Sequence, residues 1–157
     1  MEIYRVTFFG HREITDDRAI EQVLLPLLRD LIREKEYVEF YVGRNGEFDE
    51  LCARLVRIAK GELEAENATL ILALPYTVKD IPFYETYYDE ITIPDACVGA
   101  HPKRAITLRN RALAESADLV ISYVHHAGGA MTAVKYAETL KKRVFSITAA
   151  LDPCRGS

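Results

Sequence analysis

At 157 residues the chain is long enough for one domain with a sizeable core, and its hydrophobic (49%) and charged (28%) fractions are those of an ordinary globular protein. No apolar run approaches membrane-spanning length and MEIYRVTFFG lacks the order of a secretory leader, so a cytoplasmic protein without membrane contact is expected. A formal charge of −4 argues against DNA as a partner, and three scattered cysteines, Cys52, Cys97 and Cys154, fit neither a zinc site nor a disulfide framework.

The chain opens on a short β-branched and aromatic run, Tyr4 to Phe9, that stops at Gly10-His11-Arg12. Thr15 or Asp16 can cap the helix that follows. Its residues Ile20, Val23, Leu24, Leu27, Leu28, Leu31 and Ile32 recur at helical spacing, and Pro26 should bend it. Val38 to Val42 predicts a second strand, followed by Gly43-Arg44-Asn45-Gly46 and a helix from about Phe48 to Lys60. Cys52 falls on that helix's inward stripe and reads as a core residue. Leu70 to Leu74 is a continuous apolar run, typical of a strand covered on both faces, and Pro75 ends it.

Residues 76 to 102 break the rhythm with five aromatic residues and an acidic cluster. A segment of this length is either a lid over a ligand or a small helical or extended insertion that packs its tyrosines on the core or on a second subunit. The second reading is preferred. After Pro102 come an Arg-rich helix, a strand from Asp118 to Tyr123, the loop His125-His126-Ala127-Gly128-Gly129, another helix, and a last strand from Val144 to Ile147. The end of the chain, from Ala149, reads as frayed, with residues 151–157 as a flexible tail.

Strands alternating with helices predict a Rossmann-like three-layer α/β sandwich, with a mainly parallel sheet of about five strands in a single domain over residues 1–150. In such sheets ligands lie beyond the carboxyl ends of the strands. The three glycine loops should meet on that edge, where glycine admits close backbone approach and a free helix N-terminus faces negative charge. Arg44, between loop glycines, has little packing value and suits bidentate phosphate contact. Arg12 is either a ligand residue or a surface ion pair. Arg109 and Arg111 are two apart on one helix, so only one can point into the site, and Arg109 is the choice. As surface groups, Arg44 and Arg109 should matter little to folding.

His125 and His126 are read as a base-stacking or phosphate-bonding pair or as exposed residues without a role. They are not read as a metal pair, since neighbouring side chains seldom converge without a third ligand. Asp49 either bonds a ribose hydroxyl or favours the start of its helix, the second reading being preferred.

FFGHR after the first strand, VGRNGEFDELC after the second, and RNRALAESADLVISY followed by GGAMTA resemble the SLOG superfamily of Rossmann-like domains. That group includes the DNA-processing protein DprA, the LOG phosphoribohydrolases and small stand-alone bacterial or phage proteins. The resemblance runs from about residue 5 to 147 and implies a nucleotide or an NAD- or ADP-ribose-like ligand, held by a sensor, carrier or sponge that is a homodimer or larger homo-oligomer. The ligand residues it implies, with the loops above, are Gly10, His11, Arg12, Gly43, Arg44, Gly46, Asp49, Arg109, Asn110, His126, Gly128, Gly129 and Thr132. No cofactor or metal is expected. LOG-type hydrolases carry P-G-G-x-G-T-x-x-E, and here Met131 replaces the second glycine turn while Lys135 replaces the glutamate. Cleaving an N-glycosidic bond needs a carboxylate against the developing positive charge, so the chain leans away from being an enzyme. The alternative is a hydrolase that uses Asp49 or Glu115 instead.

Overall fold

The computed structural model describes residues 1–44 and 46–152 and places six strands in one parallel sheet. The strands are β1 (Ile3–Gly10), β2 (Tyr37–Val42), β3 (Ala68–Ala73), β4 (Glu90–Thr92), β5 (Leu119–Tyr123) and β6 (Arg143–Ser146), in the spatial order β4-β3-β2-β1-β5-β6. The helices are α1 (Asp17–Glu34), α2 (Glu47–Leu63), α3 (Ile81–Tyr87), α4 (Pro102–Ser116), α5 (Gly129–Thr139) and α6 (Ile147–Leu151).

Strand alternation sorts the side chains into two cores. Val6 and Phe8 of β1, Val38, Phe40 and Val42 of β2, and Leu119 and Ile121 of β5 pack with α1, α2 and Ile147 of α6. The next residues along, Phe9 and Val120, turn to the other face and meet Leu113, Ala114, Ala133 and Ala137 of α4 and α5. A period of two on each strand and helices on both faces make the three-layer α/β sandwich that the alternation predicts.

The sheet has six strands where about five are expected. The extra one, β4, lies within the aromatic segment and is three residues long, too short for any alternation to show. That segment packs on the chain's own core. Tyr87 lies under the Arg57 guanidinium at 4.0 Å, and Lys60 pairs with Asp89 at 2.5 Å. The Asp89 carboxylate also accepts the Leu70 N–H at 2.7 Å, which ties the insertion to β3. Pro26 sits at an exposed position inside α1, which runs through it without a break. The expected strand at Ile147 and frayed end from Ala149 give way to α6. Its cap is Ser146, whose hydroxyl accepts the Ala149 N–H at 3.2 Å. Pro153 to Ser157, and with them Cys154 and most of the expected tail, lie outside the described residues, as does Asn45. Among the described residues, no helix is long and apolar enough to cross a membrane.

From β1 the chain winds outward through β2 and β3 to β4, then returns to place β5 on the opposite side of β1. Gly10 and Tyr123 are register partners at the ends of β1 and β5. Loops leaving two such strands diverge to opposite faces and open a crevice at the carboxyl edge.

Candidate functional site

A cleft of about 530 Å³ lies at that crevice, within the range of roughly 300–1,000 Å³ usual for ligand pockets. The end of β1 and the loop after it contribute Gly10, His11 and Arg12, the loop after β2 Arg44, and α2 Asp49. Arg109 and Asn110 reach it from α4, and His126, Gly128 and Gly129 from the loop after β5. Three expected residues do not line the cleft. Gly43 lies behind Asp49 and Arg109, Gly46 backs onto Arg12, and the Thr132 hydroxyl donates to the Gly128 carbonyl at 3.0 Å inside α5. Sequence reasoning passed over Pro75, Tyr76 and Val78, which follow β3, and Ile106 of α4. Pro75 marks the end of a buried strand, so the fourth loop of the edge was open to the same topological argument.

The glycines serve different ends. A side chain on Gly10 would meet Phe48 at 2.2 Å, so this glycine lets α2 seat its first buried ring against β1. A side chain on Gly43 would lie 2.7 Å from Arg109 Nη1 and 2.9 Å from Asp49 Oδ2, so its absence lets those two groups approach. Gly128 holds φ +154°, ψ −169° immediately before α5, a region open essentially to glycine alone. A side chain on Gly129 would point into open space.

Two arginines that line the cleft lack protein partners among the described residues. Among the described residues, the guanidinium groups of Arg12 and Arg44 make no hydrogen bond or ion pair, and both line the cleft. Arg109 differs, because it is half-buried and held by its neighbours. Its Nη1 donates to the Ala73 carbonyl at 3.3 Å, and its Nε and Nη2 donate to Asn110 Oδ1 at 3.2 and 2.6 Å. The expectation that Arg109 is an exposed surface group therefore does not hold. Arg111 lies over the Tyr136 ring at 5.4 Å, outside the cleft, as the two-residue offset requires.

Asp49 opens on the cleft while protein crowds its carboxylate. Burial pushes its pKa up to about 6, against the opposing pull of Arg109 and of the Gly43 N–H that donates to it. Glu115, the other carboxylate considered, bonds the Tyr136 hydroxyl at 2.6 Å in the last turn of α4, near the opposite edge of the sheet.

His11 is buried at 7% exposure. Its Nε2 accepts the His125 N–H at 3.0 Å, its ring stacks on His126 with centroids 3.7 Å apart and planes 3° apart, and His125 meets it edge-on at 4.6 Å. Burial lowers the His11 pKa, and His126 and His125 lower it further, so the ring is neutral at neutral pH. One nitrogen from each of the three histidines lies within 4.8 Å of the others. His11 is thus the third imidazole that the sequence alone did not place near His125 and His126.

Fold and site together define a Rossmann-like α/β protein with a polar cleft at its topological switch point. Neither a protein-family model nor a curated protein matches the chain. Among solved structures it is similar to DNA processing protein A from Helicobacter pylori, described for its single-stranded DNA binding mode. The TM-score is 0.62 at 17% identity, covering 91% of this chain and 64% of that one. It is also similar to the molybdenum cofactor carrier protein of Chlamydomonas reinhardtii, with a TM-score of 0.56 at 16% identity, covering 92% of this chain and 76% of that one.

Proposed function

We propose that the chain is a member of the SLOG superfamily that binds a nucleotide or an NAD- or ADP-ribose-like molecule in the switch-point cleft, as a sensor, carrier or sponge. The observation that carries this reading is the pair of unpartnered guanidinium groups, Arg12 and Arg44, beside the glycine-opened N-terminus of α5. Cations that no described protein group neutralises, next to the free backbone N–H groups of a helix start, suit a phosphate. The fold likeness to a DNA-binding protein and to a cofactor carrier is consistent with a ligand-binding Rossmann-like fold and names no ligand.

Calorimetric titration against a panel of mononucleotides, NAD, ADP-ribose and a single-stranded oligonucleotide tests the reading. A charge-assisted bond contributes about 1.5–3 kcal/mol, so Arg44→Ala should weaken binding of the phosphate ligand roughly ten- to a hundredfold with an unchanged melting temperature. Affinity for the oligonucleotide alone, or an Arg44→Ala variant that binds as wild type, counts against it.

A second reading, hydrolysis of the bound nucleotide, is favoured by one observation: Asp49 brings to the cleft a carboxyl with a pKa of about 6. A carboxyl that is part protonated near neutrality suits general acid–base work. Chromatography of each nucleotide after incubation decides between the two readings. The hydrolase reading requires products that vanish in Asp49→Asn while affinity remains.

A further inference from the structure

We propose that the stacked His11–His126 pair is a platform for a planar heteroaromatic base, taken up on the outer face of His126. The proposal rests on the nucleotide reading of the cleft and adds where the base lies.

The support for the platform starts at β1. His11 is locked there by the His125 N–H, by the edge of His125, and by Tyr123, whose ring meets it edge-on at 6.0 Å. His126 lies flat on this fixed ring at 3.7 Å, and its own Nδ1 bonds the Ala127 carbonyl at 3.0 Å. One face of His126 is therefore covered and its plane is set, while the residue remains exposed and lines the cleft. A pre-oriented ring with one open face is the geometry on which bases stack in single-strand-binding proteins, whatever the base.

The cleft also holds two of the chain's exposed large apolar side chains, Tyr76 at 37% and Ile106 at 38% exposure. Apolar groups left open in a cleft that also holds cations and an aromatic ring suit a ligand with a flat apolar part and an anionic part.

The same three histidines invite a metal, and the geometry argues against one. Zinc needs its nitrogens about 2.0–2.1 Å away and converging on one point. Parallel stacked rings send their in-plane lone pairs side by side. The acceptor nitrogen of His11 is already given to the His125 N–H.

The test compares the four nucleoside 5′-monophosphates with ribose 5-phosphate, which has the phosphate and sugar but no base. Wild type should bind the monophosphates more tightly than ribose 5-phosphate, purines most tightly. His126→Ala should lose about ten- to a hundredfold in monophosphate affinity and leave ribose 5-phosphate unchanged. His126→Phe should restore the monophosphates, because it keeps the face and removes the nitrogens. His126 is exposed, so both variants should melt as wild type does.

Ribose 5-phosphate binding as tightly as the monophosphates overturns the platform and leaves the cleft reading standing. Binding of none of the five probes overturns the platform, and if NAD and ADP-ribose also fail to bind, the cleft reading falls with it. Equal losses for all probes in His126→Ala make the histidine a phosphate contact. Failure of His126→Phe to rescue, or monophosphate binding that needs added Zn²⁺ and is abolished by a chelator, overturns the platform in favour of ring-nitrogen or metal chemistry.

Discussion

Asp49 ionises against the burial that raises its pKa from 3.8 to about 6, and Arg109 and the Gly43 N–H only partly offset that burial. Between those two values the folded protein holds this proton more tightly than the unfolded chain does. The stability it contributes is fully present below the unfolded pKa and is lost as the pH rises through about 6. The amount is roughly 3 kcal/mol, at about 1.4 kcal/mol per pH unit. Asp49→Asn should therefore be more stable than wild type at pH 7, with the advantage shrinking towards pH 4. Urea midpoints for both proteins across that interval measure it, and parallel curves would sink the idea. A site residue that weakens its own fold is common where chemistry or ligand charge compensates it. No sequence pattern marks Asp49 in this way. Its burial arises from Arg109, sixty positions on, and from the missing side chain of Gly43 between them.

At the scale of elements, β1, β2, β3 and β5 and the helices beside them were legible because each is a short apolar run or a clean helical period with a glycine or proline close to its end. The edge position of the three glycine loops followed from the same alternation. Arg109 was separable from Arg111 because residues two apart cannot share a helix face. What escaped was short or long-range. β4 has three residues, α6 is a single turn after a capping serine, and the packing of Phe48 across Gly10 joins residues far apart in the chain. That last contact separates two glycines that look alike on paper. Gly10→Ala puts a methyl 2.2 Å from the Phe48 ring and should cost about 1–3 kcal/mol, the usual cost of overpacking. Gly61→Ala, on α2 with nothing within 4 Å, should instead gain about 0.5–1 kcal/mol from helix propensity. Chemical denaturation of the two variants should move in opposite directions, and a shared direction would contradict the assignment.

For the molecule as a whole, the insertion covers one end of the sheet with its tyrosines yet leaves Phe83 67% and Val98 74% exposed. Exposed aromatic and aliphatic side chains are enriched in association surfaces where they meet a partner. We propose that the chain self-associates through this segment. Light scattering at micromolar concentration should give at least twice the monomer mass, with Phe83→Ser shifting the population towards monomer. A monomer at every concentration would set that expectation aside and leave the fold and cleft untouched.

The hydrogen bond from the His125 amide to the His11 ring joins loops on the two sides of the switch point, across 114 positions of sequence. It exists only while that ring nitrogen keeps its lone pair, so the amide proton reports the state of the cleft floor. In a ¹⁵N-correlated NMR spectrum, the His125 resonance should be well protected from solvent exchange at neutral pH. On acidification it should shift and lose protection together with protonation of His11, at a pH below the ordinary histidine range because burial and the two neighbouring imidazoles oppose that proton. An amide that stays protected through the His11 titration would mean that the bond is held by something other than the imidazole. If the amide behaves as expected, one backbone signal provides a label-free gauge of whether the two halves of the sheet are still latched at the ligand edge.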